Sequence, residues 1–242
     1  MNLCILDNDV LDTAARPRWG SYGAMTAQLL RVAGWQGGVH IFPARHGDYP
    51  QDWAAYDAVL LTGSRADAFG DEPWVRTLRA QVLQRLDAGQ RLLGICFGHQ
   101  LMAHCLGAPV ARAPQGWNQG RMVYDWHVAL PGLPAGRMAL YANHQDQVLA
   151  LPGGARLLAS HAQCPVAAFA LGRQVLCVQP HPEFDAGYAA YLLGKRREQL
   201  GESVYLERMG GLQQGHDGVR LARAMVDFVQ SDDWRPDAGG GH

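Results

Sequence analysis

Short apolar segments alternate with helix-like patterns along the first half of the chain. Residues 1–7, 39–42 and 58–62 form compact apolar runs, which predict strands buried on both faces. Between the first two runs, Tyr22–Val32 has helically spaced apolar positions, and the pattern ends at Gly34. A parallel sheet covered by helices produces this alternation, so the pattern predicts an α/β fold.

Two more segments complete the first half. The Arg-Pro-Arg segment at residues 16–18 precedes the first helix and is expected to lie in a loop. After Pro73, which a first helical turn tolerates, apolar residues keep helical spacing until Gly89. Residues 91–107 then predict a strand that runs directly into a helix.

The second half has a different pattern. Between residues 120 and 178, short strands are separated by Pro-Gly, Asn-His and Gly-Gly turns, which predicts a smaller and partly antiparallel sheet beside a mostly parallel central one. Residues 184–200 and 219–229 predict two closing helices. We therefore expect one domain over residues 1–230 and a flexible, Gly-rich C-terminal tail at residues 231–242.

Composition and charge exclude several classes of protein. Of 242 residues, 48% are apolar and 18% charged, as in ordinary globular proteins. The formal net charge of −1 provides no positive field, so we expect neither nucleic-acid nor membrane-surface binding. There is no basic leader and no apolar run of 18 residues, so we expect neither secretion nor membrane spanning. Five cysteines without CxxC spacing favour a reducing, cytoplasmic location.

The stretch RLLGICFGHQ at residues 91–100 contains the first candidate for chemistry. It predicts a strand that turns sharply into a helix, with Gly94 two residues before Cys96 and Gly98 two residues after it. Side chains at the two flanking positions would collide with the neighbouring strand and helix. The helix N-terminus favours a thiolate and offers the Phe97 N–H to an anionic oxygen. Cys96 is therefore placed to attack a carbonyl group.

A structural role is the alternative for each cysteine. Free cysteine is among the most buried residue types, and Cys96 taken alone fits that role, but its elbow spacing favours catalysis. The other cysteines lie in apolar segments without such a context, so we interpret them as structural: Cys4, Cys105, Cys164 and Cys177.

A thiol nucleophile needs a base, and the base needs a group that orients it. His181 follows the apolar run Val175–Val178 and so leaves the end of a strand, where ligands bind in α/β sheets. Prolines on both sides of it stiffen the backbone. Glu183 is near enough to accept a hydrogen bond from the imidazole and fix its tautomer. Alone, this His-Pro-Glu tripeptide favours a surface loop; with the elbow it indicates a base for Cys96.

Together, GICFGHQ at residues 94–100 and HPE at residues 181–183 resemble the class I, or triad, glutamine amidotransferase family. The elbow, the order of the motifs and the 85-residue interval from Cys96 to His181 all agree with that family. The resemblance covers most of the chain. It implies a flavodoxin-like α/β fold and a catalytic triad of Cys96, His181 and Glu183.

The resemblance also implies an oxyanion hole and substrate contacts. Gly63 matches a glycine whose N–H joins that of Phe97 in the oxyanion hole, with an ordinary strand-end turn as the alternative. Gln100 matches a glutamine that helps to hold the substrate. The loop that binds the substrate's α-amino and α-carboxylate groups matches four consecutive residues: Asn143, His144, Gln145 and Asp146.

The implied reaction is hydrolysis of the side-chain amide of glutamine. Cys96 attacks the amide, and His181 protonates the departing ammonia and then activates water against the γ-glutamyl thioester. No metal or organic cofactor is required. We find no GxxxxGK[ST] loop and no acceptor domain, so we expect the ammonia to serve an acceptor on another protein, such as a synthetase partner.

Two other functions stay open. A stand-alone γ-glutamyl peptidase would use the same triad on glutathione-like γ-glutamyl amides, and only the leaving amine would differ, so pocket size would distinguish the two. A non-catalytic regulatory or binding relative is the alternative from another class, although no triad residue is missing.

Three aromatic residues and a short basic run have structural interpretations. Trp117, Tyr124 and Trp126 are interpreted as core aromatics, with the wall of a larger pocket as the alternative. The Lys-Arg-Arg run at residues 195–197 is interpreted as a solvated helix face.

A metal site has weak support. His99, His104 and Cys105 are close in sequence on one predicted helix. The two histidines are five residues apart and so lie roughly 140° apart around the helix axis. Zinc-binding pairs on a helix have i, i+4 spacing, so we predict no metal site.

Overall fold

The computed structural model describes residues 1–236 of the chain. The strands are β1 (Asn2–Leu6), β2 (Gly38–Phe42), β3 (Ala58–Leu61), β4 (Arg91–Ile95), β5 (Val110–Arg112), β6 (Asn118–Trp126), β7 (Gly136–His144), β8 (Asp146–Val148), β9 (Arg156–His161), β10 (Cys164–Leu171) and β11 (Val175–Val178). The helices are α1 (Arg16–Trp19), α2 (Tyr22–Val32), α3 (Pro73–Asp87), α4 (Phe97–Cys105), α5 (Ala186–Gly194), α6 (Arg197–Leu200), α7 (Glu202–Leu212) and α8 (Gly218–Gln230).

Nine strands form one mixed sheet in the order β2-β1-β3-β4-β11-β10-β9-β6-β7. Pairing is parallel from β2 to β11 and antiparallel from β11 to β7. β5 and β8 form a separate two-stranded antiparallel sheet. The predicted α/β class with a second, smaller sheet is confirmed, although most of the antiparallel strands extend the large sheet.

The parallel strands lie in the core because they are apolar on both faces. β3 and β11 are wholly buried, whereas β2 at the edge is half exposed. Alternate residues of β1 point to opposite sides of the sheet. Leu3 and Ile5 join the cluster that α2 and α8 cover, and Cys4 and Leu6 join the cluster under α3 and α4.

Two predicted segments differ in the structure. The loop predicted at residues 16–18 is the short helix α1, since a first turn tolerates proline and the Asp12 carbonyl accepts a hydrogen bond from the Arg16 N–H. The single helix predicted over residues 184–200 is divided into α5 and α6. Arg196 interrupts it because its backbone leaves helical geometry, at φ −114° and ψ 11°.

The sequence analysis did not predict α7. This helix buries Leu212 alone among its side chains, and it contains Gly210 and Gly211, which weaken the helical pattern. By contrast, the helix predicted over residues 219–229 is present as α8, which has a strongly apolar buried face.

The C-terminal segment packs against the core at one point. Within residues 231–242, for which a flexible tail was predicted, Trp234 is 1% exposed and lies edge-on to Phe228, with 4.8 Å between ring centroids. Residues 237–242 lie outside the described residues. Within residues 1–236, no helix combines the length and the apolar character needed to cross a membrane.

Three neighbouring parallel strands end beside one another and carry the predicted site residues. Gly63 lies just beyond β3, Cys96 follows β4 and His181 lies just beyond β11. These strands are adjacent in the sheet, in the order β3-β4-β11. Ligands of open α/β folds bind at this carboxyl edge of the sheet.

Candidate active site

Cys96 occupies a strained turn between β4 and α4. Its backbone has φ +52° and ψ −101°, and it is the one residue other than glycine with positive φ within residues 1–236. The Cys96 N–H donates to the Val178 carbonyl at 2.9 Å, which ties the turn to the end of β11. Strained backbone of this kind is concentrated at functional sites.

The two flanking glycines allow α4 to approach the sheet closely. A Cβ on Gly94 would lie 2.6 Å from the Gly98 carbonyl carbon and oxygen, and a Cβ on Gly98 would lie 2.4 Å from the Leu61 carbonyl oxygen. Both obstacles are backbone atoms, which cannot move aside as a flexible side chain does. The collisions predicted from the sequence are therefore present in the structure.

His181 is buried and bound to Glu183. The His181 Nδ1 and Glu183 Oε1 are 2.7 Å apart, and both side chains are almost inaccessible to solvent. A deprotonated carboxylate can only accept a hydrogen bond, so Nδ1 carries the proton. This leaves Nε2 for the thiol of Cys96, which lines the same cleft as His181.

The surroundings of His181 favour its charged form. Burial alone would lower the pKa of His181, but the Glu183 carboxylate and the Cys96 sulfur beside it raise that pKa to about 10. The Phe184 ring stacks on the imidazole with 3.9 Å between centroids and 11° between planes. A cation over an aromatic face is stabilised, so Phe184 also favours the imidazolium.

Two backbone N–H groups flank Cys96. A Cβ on Gly63 would lie 2.9 Å from the His181 Cε1 and 3.8 Å from the Cys96 Cβ, so this glycine is packed against both side chains. Within the described residues, the Gly63 N–H donates no hydrogen bond. Phe97 is the first residue of α4, where the helix itself supplies no acceptor for the N–H. The structure thus places both predicted oxyanion donors next to Cys96.

A cleft of about 280 Å³ opens at Cys96. Its lining includes Cys96 and His181 together with all five predicted substrate-contact residues: Gln100, Asn143, His144, Gln145 and Asp146. Glu183 lies outside this lining, behind His181, and faces a separate cavity on the other side. The structure therefore brings the sequence-predicted side chains together in one place, with Glu183 in the supporting position.

Gln100 and His144 both contact the backbone of the loop at residues 143–146. The Gln100 Nε2 donates to the Asp146 carbonyl at 2.7 Å and to the Gln179 Oε1 at 3.1 Å. Burial lowers the pKa of His144 to about 3, so its imidazole is neutral, and its Nδ1 lies 3.2 Å from the same Asp146 carbonyl. The Gln100 amide nitrogen is thus engaged in shaping the loop rather than free for a ligand.

The remaining loop residues are held by their neighbours. The Asn143 Oδ1 accepts a hydrogen bond from Gln119 at 2.8 Å, which directs the Asn143 amide nitrogen away from that contact. The Gln145 carbonyl accepts from the Ala113 N–H at 3.0 Å. Burial raises the pKa of Asp146, although Arg112, at 3.1 Å, opposes that shift.

Two lining residues have roles that the sequence analysis did not assign. Trp117 was interpreted as a core aromatic, yet it is half-buried and lines the cleft, whereas Tyr124 and Trp126 are buried in the core as predicted. Arg196 was interpreted as part of a solvated helix face, yet its guanidinium lies 3.4 Å from the centroid of the Trp117 ring. No local pattern reveals this contact, because the two residues are far apart in sequence.

The histidines weighed as metal ligands have other surroundings. Burial lowers the pKa of His99 to about 3, and its Nδ1 lies 3.2 Å from the Gln179 Oε1. Burial also lowers the pKa of His104. Within residues 1–236, no group of three or more His, Cys, Asp or Glu side chains is arranged to hold a metal ion.

Known proteins match the chain in sequence over much of its length. A γ-glutamyl peptidase 3 of Arabidopsis thaliana is 36% identical over 160 residues, which cover 60% of this chain and 62% of that protein. A glutamine-hydrolysing GMP synthase of Aeropyrum pernix is 39% identical over 127 residues, which cover 52% of this chain and 24% of that protein. The chain thus spans less than two thirds of the length of these two relatives.

A solved structure matches the fold. A glutamine amidotransferase from Thermotoga maritima has a TM-score of 0.75 with this chain, at 18% identity, over 95% of this chain and 98% of that one. A family model described as glutamine amidotransferase class-I matches residues 21–193. The resemblance found in the sequence is confirmed: the chain belongs to the class I glutamine amidotransferase family.

Proposed function

We propose that this protein hydrolyses γ-glutamyl amides through a thioester on Cys96. The observation that carries the proposal is the juxtaposition of Cys96, held at positive φ, with His181 in one cleft, where the other imidazole nitrogen is bound to buried Glu183. Nucleophile, base and orienting carboxylate are the parts that acyl transfer through cysteine requires. Membership of the amidotransferase family supports the same chemistry.

The reaction proceeds in two acyl-transfer steps. The Cys96 sulfur attacks the γ-glutamyl carbonyl carbon, and the Gly63 and Phe97 N–H groups donate hydrogen bonds to the resulting oxyanion. As the carbonyl re-forms, the C–N bond breaks and the His181 imidazolium gives its proton to the departing amine. A water deprotonated by His181 then attacks the thioester, which releases glutamate and returns the proton to the Cys96–His181 pair. The reaction requires no metal or organic cofactor.

We assign the γ-glutamyl portion of the substrate to the end of the cleft formed by residues 143–146. The Asn143 amide nitrogen and the backbone of Gln145 and Asp146 supply polar groups for the α-amino and α-carboxylate groups. Gln100 acts indirectly here, by holding the Asp146 carbonyl in place.

Two observations favour a γ-glutamyl peptide as the substrate. A second cavity of about 150 Å³ adjoins the cleft and shares four lining residues with it, which favours a leaving amine larger than ammonia. The similarity to a γ-glutamyl peptidase points the same way. Delivery of ammonia from glutamine to a synthetase partner is the second candidate, and the match to a GMP synthase supports it. All five cysteines are free thiols, which favours a reducing compartment, so a cytoplasmic location belongs to the proposal.

Glutamate release tests both candidates. Purified protein is incubated with glutamine and, in parallel, with glutathione, and Cys96→Ala is the control that lacks the sulfur. We expect release that depends on Cys96, with glutathione preferred. Preference for glutamine would support ammonia delivery instead. If neither substrate turns over and a diazoketone glutamine analogue fails to label Cys96, the catalytic proposal is wrong and a non-catalytic relative is the better explanation.

A further inference from the structure

The second cavity adjoins the cleft at Cys96. Both are lined by Tyr22, Arg65, Asn143 and Arg196, and we call the surface formed by these four residues the passage. The far side of the second cavity is formed by the 10–12 segment and by α5. A ligand bound in the cleft therefore reaches residues that also line the second cavity.

Most charged side chains around the two cavities are paired. Asp12 is bound by both Lys195 and Arg65. Arg65 also binds Asp9, with the Nε–Oδ2 distance at 3.0 Å, and this contact raises the pKa of the guanidinium further. These groups neutralise one another and leave no charge for a ligand.

The same holds at the other end of the cleft. Arg112 lies between two carboxylates, 3.1 Å from an oxygen of Asp67 and 3.1 Å from an oxygen of Asp146. One guanidinium faces two carboxylates here, so within the described residues this end of the cleft has no unpaired positive charge.

Arg196 differs from these cations. Among residues 1–236, no carboxylate forms an ion pair with it, although its neighbours Lys195 and Arg197 pair with Asp12 and Glu202. Its polar contact is a long one, 3.4 Å from Nη1 to the Gln199 Oε1. Burial lowers the pKa of Arg196, yet a guanidinium keeps its charge at any physiological pH. The passage between the cavities thus contains a half-buried positive charge without a counter-ion.

The Trp117 ring orients this charge. The guanidinium carbon lies over the ring, 3.4 Å from its centroid, a distance typical of stacking. Stacking occupies one face of the guanidinium and leaves its N–H groups pointing outward in the plane, where they match the two oxygens of a carboxylate.

The passage also lies near His181, which protonates the leaving amine in the proposed reaction. That amine takes its proton from His181, and Tyr22 packs near the His181 ring, at 6.4 Å between centroids, while also lining the passage. Tyr22, His181 and Arg196 line the same cleft, so a substituent on the amine can reach Arg196.

We propose that Arg196 binds a carboxylate carried by the leaving amine, which makes γ-glutamyl amino acids and γ-glutamyl dipeptides with a free C-terminus the preferred substrates. This inference rests on the proposed function, because it concerns the leaving group of that reaction. A single charge-assisted contact of this kind changes affinity by about ten- to a hundredfold.

Binding to a Cys96→Ala protein tests the proposal without turnover. Calorimetry compares γ-glutamylglycine with γ-glutamylglycinamide, and glutathione with its C-terminal amide. We expect at least one acid to bind about ten- to a hundredfold more tightly than its amide. In the Cys96→Ala, Arg196→Gln protein, the two members of that pair should bind nearly equally.

Arg197→Gln, in the same Cys96→Ala background, is the matched control. It removes the next arginine, which is exposed and paired with Glu202, and should keep the acid-to-amide ratio unchanged. Three results would overturn the inference. The acid and its amide could bind equally well to the Cys96→Ala protein, the ratio of their affinities could stay the same after Arg196→Gln, or none of the compounds could bind. If the acid binds more tightly than the amide through Arg196 but the native protein releases no glutamate, the proposed function is wrong and the Arg196 assignment stands.

Discussion

At the scale of single residues, Cys96 has a backbone conformation that is unfavourable by itself. A strained φ/ψ combination of this type costs about 1–3 kcal/mol and persists only where neighbours determine it. The Cys96 N–H is bound by the Val178 carbonyl, and its own carbonyl accepts a hydrogen bond from the Gln100 N–H. The position of the sulfur therefore follows from the backbone on both sides of it, so in the proposed reaction the nucleophile is already in place beside His181.

Glu183 sets the charge of His181, which leads to a prediction on pH dependence. Glu183→Gln removes the carboxylate that raises the pKa of His181, so the imidazolium should lose its proton at a lower pH than in the native protein. We expect the alkaline limit of glutamate release to move to lower pH. We also expect kcat/KM at neutral pH to fall about a hundredfold or more, since the tautomer is no longer fixed by an anion.

The measurement is the pH profile of kcat/KM. Glu198→Gln is the matched control, because it changes an exposed carboxylate of α6, and its profile should follow that of the native protein. If the pH profile of Glu183→Gln coincides with that of the native protein, the Glu183 carboxylate does not raise the pKa of the His181 imidazole.

At the scale of secondary-structure elements, α4 approaches the sheet so closely that β3 and α4 touch through backbone. Gly98→Ala would place a Cβ 2.4 Å from the Leu61 carbonyl oxygen. We expect a loss of about 1–3 kcal/mol in the free energy of unfolding, because helix and strand must separate. Activity should fall as well, since the same movement displaces the Phe97 N–H. Chemical denaturation and glutamate release measure the two effects.

Gly210→Ala in α7 is the control for this substitution. A Cβ at Gly210 meets nothing within 4 Å, and alanine in a helix interior is about 0.5–1 kcal/mol more favourable than glycine. Gly98→Ala should therefore lower the free energy of unfolding, whereas Gly210→Ala should raise it. Equal shifts would mean that the close contact of α4 with β3 contributes nothing.

The same scale explains which elements the sequence predicts. β3, β4 and β11 are compact apolar runs because they are buried on both faces. Such a run predicts a strand even when the neighbouring strands are unknown. The sequence does not predict α7 in this way, because the helix packs against α5 and β6, whose positions only the fold determines. Arg196 interrupts the predicted helix over residues 184–200 through a backbone change that no proline or glycine at that position announces.

At the scale of the whole molecule, the site is assembled from distant segments, and this limits what the sequence alone predicts. Cys96 and His181 were found because each belongs to a motif with fixed local spacing. The pairing of Arg196 with Trp117 has no such motif and depends on how the turn between α5 and α6 lies beside the residue that precedes β6. The candidate catalytic residues could therefore be named from local motifs, whereas the second cavity is visible only in the folded structure.

The C-terminal segment contributes to the stability of the whole fold. Trp234 is almost completely buried and contacts Phe228 on α8, which itself covers one face of the large sheet. We expect Trp234→Ala to lower the free energy of unfolding by about 3 kcal/mol, as large aromatic deletions in cores do. Arg235→Ala, an exposed neighbour, should leave it unchanged. Denaturant midpoints measure both, and coincident midpoints for the two variants would mean that the segment after α8 does not stabilise the core.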